Sequence, residues 1–367
     1  MPALRVCHYG LPFPAQNLLI PHLLTTTLSR ISTDKRTTAT VHQDDRHSMT
    51  TLLYTHPVCL EHDTGFGHPE SPARLTAILN ALRTAPFAAL EWREAPLATV
   101  EHLTRIHGAA YVQQVFARVP KHGHYALDGD TILSPQSGDA ALRSAGAVCA
   151  AVDALIAHQA RNAFCAIRPP GHHAKPNQAM GFCVFNNAAI GAAHARVAHG
   201  LERVAVIDFD VHHGNGTQAA FERDPSCLYI SLHQAHIYPG SGRRDECGVG
   251  NIVNAPLLAG SGTADLQHCW RQDIEPVLRK FQPQLILISA GFDGHYLDPL
   301  AELNFNESDY EWLTRQILAL AADCCAGRVI SALEGGYNLA ALAASVAAHV
   351  KALMEAPDDA VSGDGQQ

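Results

Sequence analysis

Two acidic residues and a histidine occupy alternate positions at the end of one apolar run. The run begins at Val204 and continues into Asp208, Asp210 and His212. Side chains alternate between the two faces of a strand, so these three groups are expected to project from one face. Carboxylate and imidazole groups two residues apart bind zinc, iron or manganese, and the spacing alone does not choose among these metals. Alternatively, the two aspartates cap the following turn or pair with basic side chains. Burying three ionisable groups without a metal is costly, which favours the metal site.

Apolar strand patterns alternate with helical patterns along most of the chain. Strands are predicted at 51–54, 164–168, 204–209, 228–232, 285–289 and 329–333, and helices at 75–82, 139–158, 187–199, 264–281, 308–325 and 339–354. Asn338 is placed to cap the last helix. This alternation predicts an α/β fold, in which helices cover both faces of a mainly parallel sheet.

Five of the predicted strands end in polar clusters. The clusters contain Arg168 with His172 and His173, Asp208 to Asn215, Ser231 to His233, Asp293 with His295, and Glu334 with Tyr337. Ligands bind beyond the carboxyl ends of the strands in open α/β sheets, so the five clusters are expected to meet. Asp293 then becomes a third candidate ligand beside Asp210 and His212. Such a set leaves positions open for water and substrate, as in a catalytic zinc site.

The other clusters offer candidates for proton transfer and for oxyanion binding. Two carboxylates acidify a metal's water less than histidines would, so a neighbouring base is required. His172 and His173 follow a Pro-Pro-Gly segment that can aim both rings inward, and Asp208 could hold one ring's tautomer. Tyr337 follows two glycines and could donate a hydrogen bond to an oxyanion. Alone, each of these residues would more often be structural, and only their joint occurrence favours catalysis.

Composition narrows the class of protein and its partners. The chain has 367 residues, 47% of them hydrophobic, with a net charge of −9 and a pI near 6.2. This charge argues against a nucleic-acid-binding surface. No apolar run approaches the roughly 20 residues that span a bilayer, so no membrane partner is predicted. Ten cysteines without paired spacing are typical of a reducing compartment, and a cytoplasmic location is predicted.

The chain divides into three parts by composition. Residues 1–48 are predicted to be a disordered or non-native leader, because prolines interrupt their apolar stretch and Met49 stands directly before the first strand. Residues 49–356 are predicted to form one catalytic domain. Residues 357–367 have no apolar anchor and are predicted to be a disordered tail.

The ordered series of motifs resembles the zinc-dependent histone deacetylase family, including its bacterial amidohydrolase members. The motifs are Arg-Pro-Pro-Gly-His-His, Asp-x-Asp-x-His-His-Gly-Asn-Gly, Ser-Leu-His, Ala-Gly-Phe-Asp and Glu-Gly-Gly-Tyr-Asn, within residues 51–355. Asn215 and Glu334 make the chain similar to the class II branch in particular. The resemblance implies the three-layer arginase–deacetylase fold.

The resemblance also implies roles for individual residues. Zinc would be bound by Asp210, His212 and Asp293, while His173 would act as general base and then as general acid. His172, paired with Asp208, would be its electrostatic partner, and Tyr337 would stabilise the tetrahedral intermediate. A structural potassium would be held, mostly by carbonyl oxygens, at Asp208, Asp210, His212, Ser231 and Leu232. Gly181, Phe182 and Tyr238 would line an acyl-lysine tunnel with Leu300 at its mouth, and Arg74 would lie by an inner acetate channel.

These roles predict an amidohydrolase that removes acetyl or related acyl groups from lysine side chains, and a homo-oligomer is compatible with the sequence. One alternative substrate is an acetylated polyamine. This is disfavoured because Leu300 stands where the polyamine-selective class II member has glutamate. A two-manganese, arginase-like hydrolase is a second alternative, although His295 occupies the position of an expected aspartate. A non-enzymatic acyl-lysine-binding module would have lost a ligand, a histidine or the tyrosine, and none is missing.

Overall fold

A computed structural model of the protein describes residues 50–356. The predictions for the leader at 1–48 and for the tail at 357–367 lie outside this range. Within it the strands are β1 Thr51–Thr55, β2 Glu91–Glu94, β3 Tyr125–Ala126, β4 Ile132–Leu133, β5 Asn162–Cys165, β6 Val204–Asp208, β7 Cys227–Gln234, β8 Ile252–Leu257, β9 Leu285–Ala290 and β10 Val329–Leu333. The α-helices are α1 Pro72–Leu82, α2 Val100–Thr104, α3 Ala109–Arg118, α4 Ser137–Ile156, α5 Asn187–His199, α6 Asn215–Phe221, α7 Thr263–Cys269, α8 Glu275–Phe281, α9 Glu307–Cys325 and α10 Leu339–Met354.

One parallel sheet organises the described part of the chain. Its eight strands follow the order β2-β1-β5-β10-β9-β6-β7-β8, and β3 and β4 form a separate antiparallel pair. Alternate residues of the strands enter two apolar clusters, one on each face. Helices α4 and α5 contribute to one cluster, and α1, α8, α9 and α10 contribute to the other. Burial on both faces explains why the central strands read as continuous apolar runs. The predicted α/β architecture is confirmed.

The predicted elements agree best where the apolar pattern is long. Helices α5 and α10 have the predicted bounds, and the Asn338 side chain accepts a hydrogen bond from Ala341 N–H, as a cap should. The helix predicted at 264–281 is interrupted by a π-helical turn at Trp270–Ile274. The edge strands β2 and β8 were not predicted. Strand β2 is short and largely exposed, and β8 contains Pro256, which an edge strand tolerates but which weakens a strand signal.

No helix within residues 50–356 has the length and apolar character needed to cross a bilayer.

Candidate active site

The segment after β6 leaves the sheet earlier than predicted. The strand ends at Asp208, so Asp210 and His212 lie in the bend that follows and do not continue the strand alternation that the prediction assumed. Asp208 Oδ1 accepts a hydrogen bond from Asp210 N–H (3.2 Å), and Asp210 Oδ1 accepts one from His212 N–H (2.9 Å). These side-chain-to-backbone bonds redirect the chain. The two aspartates therefore do cap the turn, which was the alternative left open by the sequence.

Asp210, His212 and Asp293 nevertheless converge on one point. His212 Nδ1 lies 3.1 Å from Asp210 Oδ1 and 3.1 Å from Asp293 Oδ2. The other carboxylate oxygens are held by the backbone: Asp210 Oδ2 accepts from Gly335 N–H (2.8 Å) and Asp293 Oδ1 from Val211 N–H (2.9 Å). Each carboxylate thus turns one oxygen toward the imidazole. Ligands that share a tetrahedral zinc at its usual bond lengths stand about 3.3 Å apart, so these spacings suit such an ion.

The electrostatics of this group also suit a cation. Both aspartates are buried, and burial together with the Asp210 charge raises the pKa of Asp293 to about 7. Burial disfavours the charged form of His212, but hydrogen bonds to Asp210 and Asp293 outweigh this and raise its pKa to about 10. The two carboxylates thus draw a proton onto the ring between them. A divalent cation would replace that proton, so metal binding would release it.

A second group of possible ligands, Asp153 with His194 and His199, lies on α4 and α5 away from these residues. Asp153 Oδ1 is 2.6 Å from His194 Nε2 and 2.7 Å from His199 Nε2, which are ordinary hydrogen-bond distances. Arg105 donates to His194 Nδ1 (2.5 Å), so Nδ1 is the acceptor and Nε2 carries the hydrogen that bonds to Asp153. The nitrogen that would bind a metal is therefore occupied.

His295, relevant to the two-manganese alternative, does not join the cluster of Asp210, His212 and Asp293. Its Nδ1 accepts from Leu297 N–H (3.1 Å), and its Nε2 lies 3.5 Å from Glu307. Among the residues described, this geometry favours a single ion.

His172 is held as a charged ring. Its Nδ1 donates to Asp208 Oδ2 (3.0 Å), which also accepts from the Tyr229 hydroxyl (2.9 Å). Burial disfavours the imidazolium, but Asp210 and Asp208 outweigh burial and raise the pKa of His172 well above its usual value. The predicted pairing of His172 with Asp208 is present.

His173 is held as a neutral ring. Burial lowers its pKa well below the usual value, and the neighbouring His172 and His212 lower it further. Its Nδ1 lies 2.8 Å from Asn215 Oδ1, an acceptor, so Nδ1 carries the hydrogen and Nε2 has a free lone pair. The Asn215 amide nitrogen faces Met180 Sδ, which agrees with this orientation. Two adjacent histidines thus have pKa values displaced in opposite directions, as expected of a base beside a fixed charge.

The segment after β10 supplies Tyr337 and is tied down at several points. Asp298 Oδ2 accepts from Tyr337 N–H (2.6 Å), and Asp298 Oδ1 accepts from Leu300 N–H (3.1 Å). Arg74 donates to the carbonyls of Glu334 (2.5 Å) and Gly336 (2.6 Å), and its guanidinium carbon lies 4.9 Å from the centre of the Tyr337 ring. The tyrosine is therefore carried on a rigid support.

One cavity brings most of these side chains together. It has a volume of about 230 Å³ and is lined by Asp130, His173, Gly181, Phe182, His212, Tyr238, Leu300 and Tyr337. Gly181 has a φ of +57°, and a Cβ there would overlap the His173 ring, so only glycine allows the wall to approach the base this closely. The cavity thus places His173, His212 and Tyr337 beside walls formed by Phe182 and Tyr238.

The chain is similar to several known proteins in sequence and in fold. A model of the histone deacetylase domain matches residues 68–353. The chain belongs to the histone deacetylase family. Histone deacetylase 14, chloroplastic, of Arabidopsis thaliana is 42% identical over 325 residues, covering 83% of this chain and 76% of that protein. Polyamine deacetylase HDAC10 of Homo sapiens is 38% identical over 345 residues, covering 89% of this chain and 49% of that protein. The crystal structure of the HDA15 HD domain matches with a TM-score of 0.79 at 35% identity, covering 83% of this chain and 88% of that one.

As a member of the histone deacetylase family, the protein is a deacetylase-type hydrolase with the arginase–deacetylase fold, which confirms the predicted family and fold. The family supports a metal site, and the described residues contain a group able to form one. The potassium site stays a prediction. Asp208 and Ser231 are register partners in β6 and β7, and Leu232 follows Ser231, so three of its five residues are adjacent in the sheet.

Three carboxylates make contacts in and around this cavity that the sequence did not indicate. Asp130 lines the cavity and accepts from Gly181 N–H (3.1 Å). Asp298 supports the tyrosine segment. Glu70 is fully buried and binds both Arg74 (3.0 Å) and Arg168 (2.5 Å). The only sequence signal was that each lies in a polar loop, where most acidic residues are solvated.

Proposed function

We propose that the protein is a zinc-dependent deacetylase that removes acetyl or related acyl groups from lysine side chains. The proposal rests on one cavity, which is lined by His173, His212 and Tyr337. His212 in turn belongs to the cluster that it forms with Asp210 and Asp293. The apolar walls of the cavity at Phe182 and Tyr238 suit an aliphatic chain, and its polar residues suit an amide.

Asp210, His212 and Asp293 would hold the zinc ion. When bound, the ion would polarise the acyl carbonyl and make a water molecule more nucleophilic. The carboxylates are already oriented by Gly335 N–H and Val211 N–H, so little rearrangement is needed for binding.

His173 would move the protons. Its free Nε2 accepts a proton from the attacking water and later gives it to the leaving amine. Burial, together with the charged His172 that Asp208 holds, keeps the pKa of His173 low, so the ring is neutral when the substrate arrives. Asn215 holds His173 Nδ1–H and thereby keeps the lone pair on the nitrogen that can face the substrate.

Tyr337 would donate its hydroxyl hydrogen to the carbonyl oxygen as negative charge develops there. Burial raises the pKa of Tyr337 well above its usual value, so the hydroxyl keeps its hydrogen. A donor fixed in place before reaction stabilises the transition state more than the ground state.

Replacing Tyr337 by phenylalanine should lower kcat by roughly 100-fold or more, because one oxyanion donor is lost. The metal content and the unfolding temperature should not change, since the hydroxyl is not bonded to the proposed metal ligands Asp210, His212 and Asp293. The matched control is Tyr296→Phe, which removes a hydroxyl from an exposed residue outside the cavity lining. If the Tyr337 variant turned over at the wild-type rate, the residue would be structural only.

Residues at the cavity mouth bear on substrate choice. Leu300 lines the cavity and is 39% exposed, so it offers apolar contact but no charge to a second ammonium group. This favours acyl-lysine in a peptide or protein over an acetylated polyamine. Asp130 favours the acetylated polyamine as a second candidate, because it adds a carboxylate to the lining of the same cavity. One Asp130 oxygen is already engaged by Gly181 N–H, and acyl-lysine remains the proposed substrate.

Leu300→Glu should shift selectivity toward acetylated polyamines, because a carboxylate at the mouth attracts the second ammonium. The measurement is kcat/KM for acetyl-lysine peptides, longer acyl-lysine peptides, acetylputrescine and acetylspermidine. Leu297→Glu, which adds the same charge at an exposed site outside the cavity lining, is the control. Higher kcat/KM of the wild type for acetylpolyamines than for acetyl-lysine peptides would show that the proposed substrate is wrong.

The remaining features are proposed on the sequence and the family. A potassium ion would be structural, residues 49–356 would form the catalytic domain, and the cytoplasm would be the location. A homo-oligomer is compatible with these proposals.

A further inference from the structure

Glu334 is a fully buried carboxylate that contacts the segment carrying both active-site histidines. Its Oε2 accepts hydrogen bonds from Gly171 N–H (2.6 Å) and from His172 N–H (3.1 Å). Its Oε1 accepts from the Ser289 hydroxyl (3.1 Å). Buried backbone N–H groups need acceptors, and here one carboxylate oxygen serves two adjacent donors. The backbone that leads to His173 is therefore held by a side chain from another strand end.

The backbone around Glu334 is fixed at the same time. Glu334 N–H donates to the Ala290 carbonyl (2.9 Å), and its own carbonyl accepts from Arg74 (2.5 Å). The next residue, Gly335, donates its N–H to Asp210. Tyr337 follows two residues later. The segment from Glu334 to Tyr337 thus contacts the histidine segment, contacts a proposed metal ligand and carries the proposed oxyanion donor.

We propose that Glu334 is a positioning residue that couples the histidine segment to the tyrosine segment and thereby sets where His173 lies relative to the substrate. The inference rests on the proposed function, because it assigns Glu334 a part in that hydrolysis. Glu334 acts through the backbone at Gly171 and His172. Its loss should therefore lower kcat while leaving metal binding and KM close to the wild-type values.

The contacts also specify what this position requires. Glutamine has the same shape: its Oε1 can accept from both N–H groups, and its Nε2 can donate to Ser289 Oγ. Burial raises the pKa of Glu334 to about 7, so a neutral side chain is compatible with the site. Leucine would leave two buried N–H groups without an acceptor. Aspartate keeps the charge, but its side chain is shorter by one methylene, so its carboxylate oxygens lie farther from the two N–H groups. The role therefore depends on the acceptor's position, not on its charge.

The test compares the full-length wild type with E334Q, E334D and E334L on an acetyl-lysine peptide. We expect E334L to lose roughly 100-fold in kcat, the scale of a small misplacement of a reacting group, and E334D to be slower than E334Q. E334Q should stay close to the wild type. The number of intact sites is measured from the metal content per chain and by titration with a metal-chelating hydroxamate. The kcat of each variant is then calculated per intact site, which corrects for a partly unfolded preparation. Ser289→Ala, which removes only the third contact, should have a small effect.

The outcomes separate this inference from the proposed function. Wild-type kcat in E334L would overturn the inference. An E334Q variant as slow as E334D would also overturn it, because the charge of Glu334 would then matter. Should E334L fail to fold, the comparison of E334Q with E334D still decides. A wild-type protein that hydrolyses no acylated amine would instead overturn the proposed function, and this inference with it.

Discussion

Replacing Asp210 or Asp293 by alanine is expected to abolish metal binding and hydrolysis together. Each residue turns one carboxylate oxygen toward His212 Nδ1, at 3.1 Å, and a three-ligand site that loses an anionic ligand holds a divalent ion poorly. The measurement is metal content per chain after dialysis, with turnover of an acetyl-lysine peptide on the same sample. Each substitution relieves repulsion between two buried carboxylates but also leaves backbone N–H donors without their acceptor, so thermal unfolding is measured on the same sample.

The control for these variants is Asp153→Ala. Asp153 belongs to a different group of possible ligands, with His194 and His199, and lies on the exposed side of α4. We expect that variant to keep its metal and its activity. Full metal occupancy in the Asp210 or Asp293 variant, or loss of metal in the Asp153 variant, would show that the ligands are assigned to the wrong cluster.

Replacing His173 by alanine is expected to lower kcat by roughly 100- to 10,000-fold, the range for a positioned acid–base group. The upper part of the range is expected because one ring serves both proton transfers. Metal content should not change, since His173 Nδ1 bonds to Asn215 and the ring is outside the ligand group. The measurement is kcat and metal content on the same preparation.

A histidine outside the cavity lining provides the comparison for His173. His199→Ala removes an imidazole whose hydrogen bond is to Asp153 on α4, and its activity should match that of the wild type. An active His173→Ala variant would mean that another group accepts the proton from water.

The sequence predicted which residues form the site better than it predicted the backbone path between them. Asp210, His212 and Asp293 could be grouped because strand ends in a parallel sheet share one edge, and that geometry holds for any such sheet. The turn after Asp208 could not be foreseen from alternation. The Asp208 and Asp210 carboxylates accept hydrogen bonds from nearby backbone N–H groups, which competes with strand pairing, and a pattern of apolar residues does not report that competition.

The supporting residues were harder to find than the reacting ones. Asp130, Asp298 and Glu70 act through hydrogen bonds to backbone or to arginines distant in sequence, so their partners are set only by the folded chain. Edge strand β8 was missed for a related reason. Its Asn254 and Pro256 weaken the local pattern, and only pairing with β7 makes the segment a strand.

Removing and restoring the metal tests the central claim most directly. The wild-type protein is stripped with a chelator, its metal content is measured by mass spectrometry, and hydrolysis of an acetyl-lysine peptide is followed as zinc is added back. We predict that the stripped protein is inactive and that activity rises in proportion to zinc until one ion is bound per chain. Activity in metal-free protein, or a requirement for two ions per chain, would contradict a single-zinc deacetylase site at Asp210, His212 and Asp293.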